Sequence, residues 1–203
     1  MQTRQVFTAY ERNSAETGQS YRYCPYCATP FPGPDETEPH QKCPLCAWIH
    51  FRNPAPGVVI LIADGDHVLL GRRAESSYAP GKWCLPGGFI EFDEDFLTAA
   101  IREVKEETGY DVEIASILSV MSNFLRPGLH TLVVVLEASI ISGEPSPGDD
   151  IVELGWFPLD GPFPDMAFEA DHHIFTRYRK TNLSGAPVDP EYARSSEIAA
   201  TPR

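Results

Sequence analysis

The sequence predicts an α/β fold with a mixed sheet, preceded by a small ribbon held by four cysteines. Three observations predict it. Strand-like apolar runs and two segments of helical period interleave along residues 57–180, the pattern of a sheet covered by helices. Two C-x2-C pairs stand ahead of them, Cys24 with Cys27 and Cys43 with Cys46. The chain has 203 residues, 42% of them hydrophobic, enough for one sizeable domain and a small one.

Residues 1–20 are polar and aperiodic and are expected to be mobile. Residues 21–56 make the ribbon and a stiff connector, "FRNPAP". The two cysteine pairs stand 15 residues apart, the spacing of a four-cysteine zinc site. Each C-x-x-C turn aims two thiolates at one point, and two turns close a tetrahedron. A ribbon this short cannot bury a core of its own, so the metal holds it together. Disulfides are disfavoured, because the N-terminus has no apolar stretch like that of a signal peptide. His40 and His50 lie nearby, but four cysteines leave no vacancy for them. Cys84 stands alone, with no basic partner evident, and reads as a packed small side chain rather than a nucleophile.

From residue 57 onward the pattern becomes that of a larger domain. "GVVILIA" and "HVLLGRR" read as strands, joined at Asp64-Gly65-Asp66 by a hairpin turn. A loop rich in Gly and Pro follows, "AESSYAPGKWCLPGGFIEF". Phe92–Thr108 reads as a helix, with Asp93 as N-cap, Phe92 and Leu97 as a hydrophobic staple, and Gly109 in the left-handed position after the last turn. Leu97, Ile101, Val104 and Thr108 share its core stripe. "VEIASILSVMS", "HTLVVVLEASI" and "IVELGWFPL" read as further strands, with "NFLRPGL" and "SGEPSPGDD" as loops. "DMAFEADHHIFTRYRK" reads as a second helix, and residues 181–203 as a disordered tail.

Charge narrows the partners. The net charge is −13, and residues 57–180 carry nine Lys/Arg against 21 Asp/Glu. Such acidity disfavours non-specific binding to nucleic acid or anionic lipid. No apolar run approaches the roughly 18–20 residues of a membrane helix, and a cytoplasmic location is the expectation.

The helix carries the chemistry. In "REVKEETG", Glu103, Glu106 and Glu107 fall within a window about 100° wide, opposite the core stripe. Three carboxylates so placed can share a hard divalent cation, which takes oxygen ligands. They can equally form a solvated acidic face with i,i+4 contacts to Arg102 and Lys105.

The preceding loop discriminates between these two. Gly88, Glu94, Arg102, Glu103, Val104, Glu106, Glu107 and Gly109 fit the pattern G-x5-E-x7-R-E-U-x-E-E-x-G-U, where U is a bulky apolar residue. Only Tyr110 departs, standing where an aliphatic residue is usual. The sequence therefore resembles the Nudix hydrolases. That resemblance implies an α/β/α sandwich and a metal-dependent hydrolysis at a diphosphate, with Mg2+ or Mn2+ as cofactor. Glu103, Glu106 and Glu107 would be ligands, and Arg102 would orient them. Gly88 would let the backbone turn beside the substrate, and Glu94 would brace the loop or reach a metal through water. The base would be Glu103 or Glu106, or a later acid among Glu153, Asp149 and Asp150.

The ribbon, "HFRNP" and "VELGWFPLDGPFPDMAF" together resemble the zinc-ribbon Nudix proteins, a group that includes enzymes acting on FAD and ADP-ribose; the resemblance also implies a homodimer. Ala28 and Ala47 stand where such knuckles commonly carry Gly. No SQPWPFP-type motif follows the box, which lowers NADH as a substrate. In that region "SNFLRPGLH" offers Phe124 to stack on a base and Arg126 to meet a phosphate, with ordinary loop packing as the alternative. Failing these, the pocket is expected from the "SSYAPGK" loop or the ribbon. The competing functions are a nucleoside triphosphate pyrophosphatase and a non-catalytic nucleotide sensor.

Overall fold

The computed structural model describes residues 4–11, 21–32, 40–181, 185–190 and 193–194. Its strands are β1 (Val6–Thr8), β2 (Gln41–Lys42), β3 (Ile49–His50), β4 (Ala55–Asp64), β5 (His67–Arg73), β6 (Trp83–Cys84), β7 (Tyr110–Arg126), β8 (Leu129–Gly143), β9 (Ile151–Pro158) and β10 (Ala186–Pro187). Two helices, α1 (Phe96–Thr108) and α2 (Glu169–Thr181), lie among them. None of the described helices is long and apolar enough to cross a membrane.

Two adjoining strand groups form the sheet. β4 pairs parallel with β8, and β7 pairs antiparallel with β8. β5 pairs antiparallel with β9 and β6. The hairpin between β4 and β5 joins the groups, pairing only Ala63 with Val68 and Asp64 with His67 around Gly65, whose φ is 56°. The continuous apolar run of β4 is explained by burial on both faces. Val58, Ile60 and Ile62 meet Ala99, Ala100 and Val104 of α1. Leu61 faces the other way, toward Ala170, Ile174 and Phe175 of α2. A helix on each face makes the α/β/α sandwich.

Several boundaries differ from the sequence reading. The helix begins at Phe96, not Phe92, and Asp95 caps it by accepting from the N–H groups of Leu97 (2.8 Å) and Thr98 (3.2 Å). Phe92 is fully exposed and makes no staple, because residues 91–94 form a turn that turns Glu94 back toward α1. Gly109 takes the left-handed conformation as expected, at φ 77°. "NFLRPGL" is mostly strand: β7 and β8 run to Arg126 and from Leu129, leaving only Pro127-Gly128 as the turn.

The chain ends also depart from the expectation of mobile termini wherever they are described. β1 pairs parallel with β7, and Phe7 is buried in the α2-side core. β10 pairs antiparallel with β7, the Ala193 carbonyl accepts from the Ile114 N–H (2.9 Å), and Arg194 pairs with Glu113. The cause is the open edge of β7. It presents unpaired backbone groups, which both ends of the chain cover.

Candidate functional site

In the ribbon, the four Sγ atoms of Cys24, Cys27, Cys43 and Cys46 all lie within 4.8 Å of one another. Cys24 and Cys46 are 3.6 Å apart, and Cys27 and Cys43 3.5 Å. A disulfide needs about 2.05 Å. Tetrahedral ligation at about 2.3 Å per sulfur needs roughly 3.8 Å between sulfurs. The geometry therefore fits one tetrahedral ion and excludes disulfides. The knuckles repeat each other: Ala28 N–H donates to the Cys24 carbonyl, and Ala47 N–H to that of Cys43. Both alanines take the left-handed conformation, at φ 57° and 61°, so the turn is kept at the cost of alanine strain. His50 stacks on Trp48 and His40 packs on Phe51, away from the ligand set.

The second site is a cleft of about 710 Å3 between β4, β7, β8, α1, the loop before α2 and the loop after β5. Arg102, Glu103, Glu106 and Glu107 line one wall. Of the three glutamates, only Glu106 is exposed to solvent. Glu103 and Glu107 are buried, because the Gly87-Gly88 loop lies over them. Gly87 N–H donates to Glu107 Oε2 (2.8 Å). At Gly88 a Cβ would sit 2.4 Å from Glu103 Oε1, so a larger residue there would displace that carboxylate. The neighbouring Gly87, at φ 149°, supplies the unusual backbone. Burial pushes the Glu103 carboxyl up and the Glu107 carboxyl well up.

Arg102 organises this wall. Its Nη1 lies 2.9 Å from Glu103 Oε1 and 3.0 Å from Glu106 Oε2. Its Nε and Nη2 bind both oxygens of Glu94, at 3.0 and 2.6 Å. This bidentate pair holds the Glu94 carboxyl below the usual range and ties the loop to α1. Two carboxylates thus converge on one cationic nitrogen, and Asp149 and Asp150 face the same cleft. Among the described residues only the four cysteines bring their ligand atoms into one tight group, and these carboxylates are instead spaced around Arg102; as hard oxygen donors they suit Mg2+ or Mn2+.

Three residues expected at the site lie elsewhere. Glu153 is half exposed and pairs with Arg72 (2.7 Å), and it does not line the cleft. Phe124 packs edge to face on His130, with ring centroids 4.7 Å apart. Arg126 is exposed at the end of β7. The reason is strand alternation: Met121, Asn123 and Leu125 line the cleft, so Phe124 and Arg126 fall on the other side.

Other residues take their place. Ser76, Ser77 and Tyr78 of the "SSYAPGK" loop line the cleft, and Tyr78 stacks on Phe168. Arg73 links these parts. It donates to the Tyr78 carbonyl (2.5 Å), pairs with Asp150 (2.7 Å), reaches Cys84 Sγ (3.6 Å) and lies over the Phe168 ring. Cys84 therefore has a basic neighbour that the sequence did not reveal. Burial nonetheless raises its thiol, which keeps it unreactive. The "GRR" doublet closing β5 was the one available signal for Arg73.

Asp171 is fully buried beside this group, accepts from Leu85 N–H (3.3 Å), and is pushed up to about 7 by burial. Since its folded value exceeds the ordinary 3.8, its contribution to stability is full below about pH 4 and is lost as pH rises through about 7. Asp171→Asn should remove this dependence. Thermal melts should show the variant gaining on the parent protein between pH 5 and 8. A constant difference across that range would mean that Asp171 titrates normally.

A model of the NUDIX domain matches residues 52–178. The NAD-capped RNA hydrolase NudC of Pseudomonas aeruginosa (strain LESB58) is 32% identical over 172 residues, covering 83% of this chain and 60% of that protein. An ADP-ribose pyrophosphatase of Methanocaldococcus jannaschii is 36% identical over 125 residues, covering 61% of this chain and 73% of that one. A Nudix hydrolase crystal structure from Nitrosomonas europaea matches with a TM-score of 0.67 at 30% identity, covering 83% of this chain and 97% of that one. The chain thus spans about 60% of the length of this NudC relative. With the domain matched over most of its length and the loop–helix formed as its motif requires, the chain belongs to the Nudix hydrolase family.

Proposed function

We propose that the protein is a divalent-metal-dependent pyrophosphatase that cleaves a nucleoside diphosphate joined to a second group, such as ADP-ribose, FAD or a related dinucleotide. The observation that carries this reading is the two-sided cleft. One wall is the carboxylate–guanidinium cluster of α1, and the other is apolar, with Met121, Leu125, Leu129 and Val133. A diphosphate suits the first wall and a flat apolar group the second.

Glu103, Glu106 and Glu107 would hold Mg2+ or Mn2+. The bound ion supplies polarisation of the phosphoryl oxygens, charge on the leaving group's side and a lowered pKa for the attacking water. Arg102 would keep Glu103 and Glu106 turned toward the phosphate, with Glu94 fixing Arg102 in turn. Asp149 and Asp150 replace Glu153 as the later acids placed to act on water. The four cysteines would hold one structural Zn2+. A homodimer, implied by the resemblance, completes the proposal.

The relatives' names place NAD-capped RNA and ADP-ribose among the substrates to test. The missing SQPWPFP-type motif speaks against NADH, and the 32% identity to NudC speaks for NAD-linked ends. The acidic charge of the chain does not by itself exclude a capped RNA end from the cleft. A turnover panel of ADP-ribose, FAD, NADH, NAD, NAD-capped RNA, nucleoside triphosphates and diadenosine polyphosphates, each with Mg2+ and Mn2+, tests the proposal. The expected result is two monophosphate products from a diphosphate-linked substrate. Pyrophosphate release from triphosphates alone would identify a triphosphate pyrophosphatase, and tight binding without turnover a sensor.

A further inference from the structure

The apolar wall of the cleft carries one polar cross-strand pair. Asn123 of β7 stands directly opposite Thr131 of β8, with the Asn123 amide nitrogen 3.4 Å from Thr131 Oγ1. Around them lie Met121, Leu125, Leu129 and Val133. Thr131 and Met121 are buried and Asn123 is partly so. An amide in such a wall is costly unless it is hydrogen-bonded. Thr131 meets only part of that need, since a primary amide has two N–H donors and an acceptor oxygen.

The geometry points to Asn123 as the residue that reads the base of the nucleotide, and to adenine as the base it selects. This rests on the pyrophosphatase reading of the cleft. One amide N–H directed at Thr131 fixes which way the side chain is turned. With the N–H anti to Oδ1 given to Thr131, the second N–H and Oδ1 form a side-by-side donor and acceptor on a residue that lines the cleft. Adenine offers the complement, with N7 accepting and the N6 amino group donating. Guanine places O6 where adenine has its amino group, so two acceptors would meet. Thr131 is then a positioning residue that acts through Asn123. The flanking apolar side chains cover the faces of the ring.

Binding of AMP and GMP to the 203-residue, zinc-loaded chain, measured by calorimetry, tests this without turnover. The unaltered protein should prefer AMP by at least about tenfold, the scale of one bidentate base contact. Asn123→Leu, similar in volume and unable to hydrogen-bond, should bring the AMP:GMP ratio close to one. Asn123→Ala, which removes the amide altogether, should do the same and serves if the leucine variant fails to fold. Thr131→Val should lower the AMP:GMP ratio, and Thr131→Ser, which keeps the hydroxyl, should restore it. An unaltered protein that binds both nucleotides equally, or a folded Asn123 variant that keeps the parent ratio, would overturn the assignment. Loss of the pyrophosphatase reading would look different: selective AMP binding with no substrate in the panel hydrolysed.

Discussion

Glu106→Gln should lower turnover by at least about 100-fold, the low end for a positioned acid–base group. The substitution removes one charge and nearly keeps the shape. Glu106 is half exposed and pairs with Arg102 at 3.0 Å. Its loss should therefore change stability by no more than about 0.5 kcal/mol, as for most surface positions. The two readouts separate catalysis from folding. The Mg2+ concentration giving half-maximal rate should also rise, because a hard cation loses a carboxylate donor. Glu153→Gln is the matched control. It breaks the surface pair with Arg72 outside the cleft and should leave turnover close to that of the unaltered protein. Normal turnover in the Glu106 variant would mean that the metal lies elsewhere.

The second large effect belongs to the ribbon. Metal analysis of protein purified without added zinc should give about one zinc per chain. Structural zinc is worth roughly 10–16 kcal/mol in small zinc-binding peptides. Among the described residues the ribbon has little regular structure: β2 and β3 are two residues each, and the Gln41 side chain supplies the pairing to the Tyr21 backbone. Cys43→Ser should therefore unfold it. Trp48, which packs among Tyr21, Tyr26, Phe31 and His50, should report the loss in its fluorescence. The far-ultraviolet signal of α1 and α2 should largely persist, since their cores lie in the sandwich. A folded chain with almost no zinc would refute the four-cysteine site.

Much of the fold was legible because its causes are local. The β4–β5 hairpin follows from Asp-Gly, the end of α1 from Gly109, and the cysteine cluster from its spacing. The start of α1 was misplaced by four residues for an equally physical reason. Asp93 and Asp95 are both able caps, and the Arg102–Glu94 pair, which draws the turn back onto the helix, decides between them. The burial of Glu103 and Glu107 was hidden as well. A helical wheel sees one helix, whereas the Gly87-Gly88 loop covers it from outside.

The sequence by itself determined the class of fold, the ribbon's four-cysteine cluster and the carboxylates of the α1 box, because each follows from short-range patterns along the chain. Tertiary structure alone decided which side chains complete the cleft. Whether Asn123 or Phe124 enters it depends on the pairing of β7 with β8 across a two-residue turn, since one residue of register moves every side chain to the opposite face. Whether Asp150 or Glu153 enters it depends on where β9 joins β5, for Arg73 holds the first in the cleft and Arg72 holds the second outside it. Adjacent residues of one strand point to opposite faces, so the two arginines of "GRR" serve different sides of the molecule.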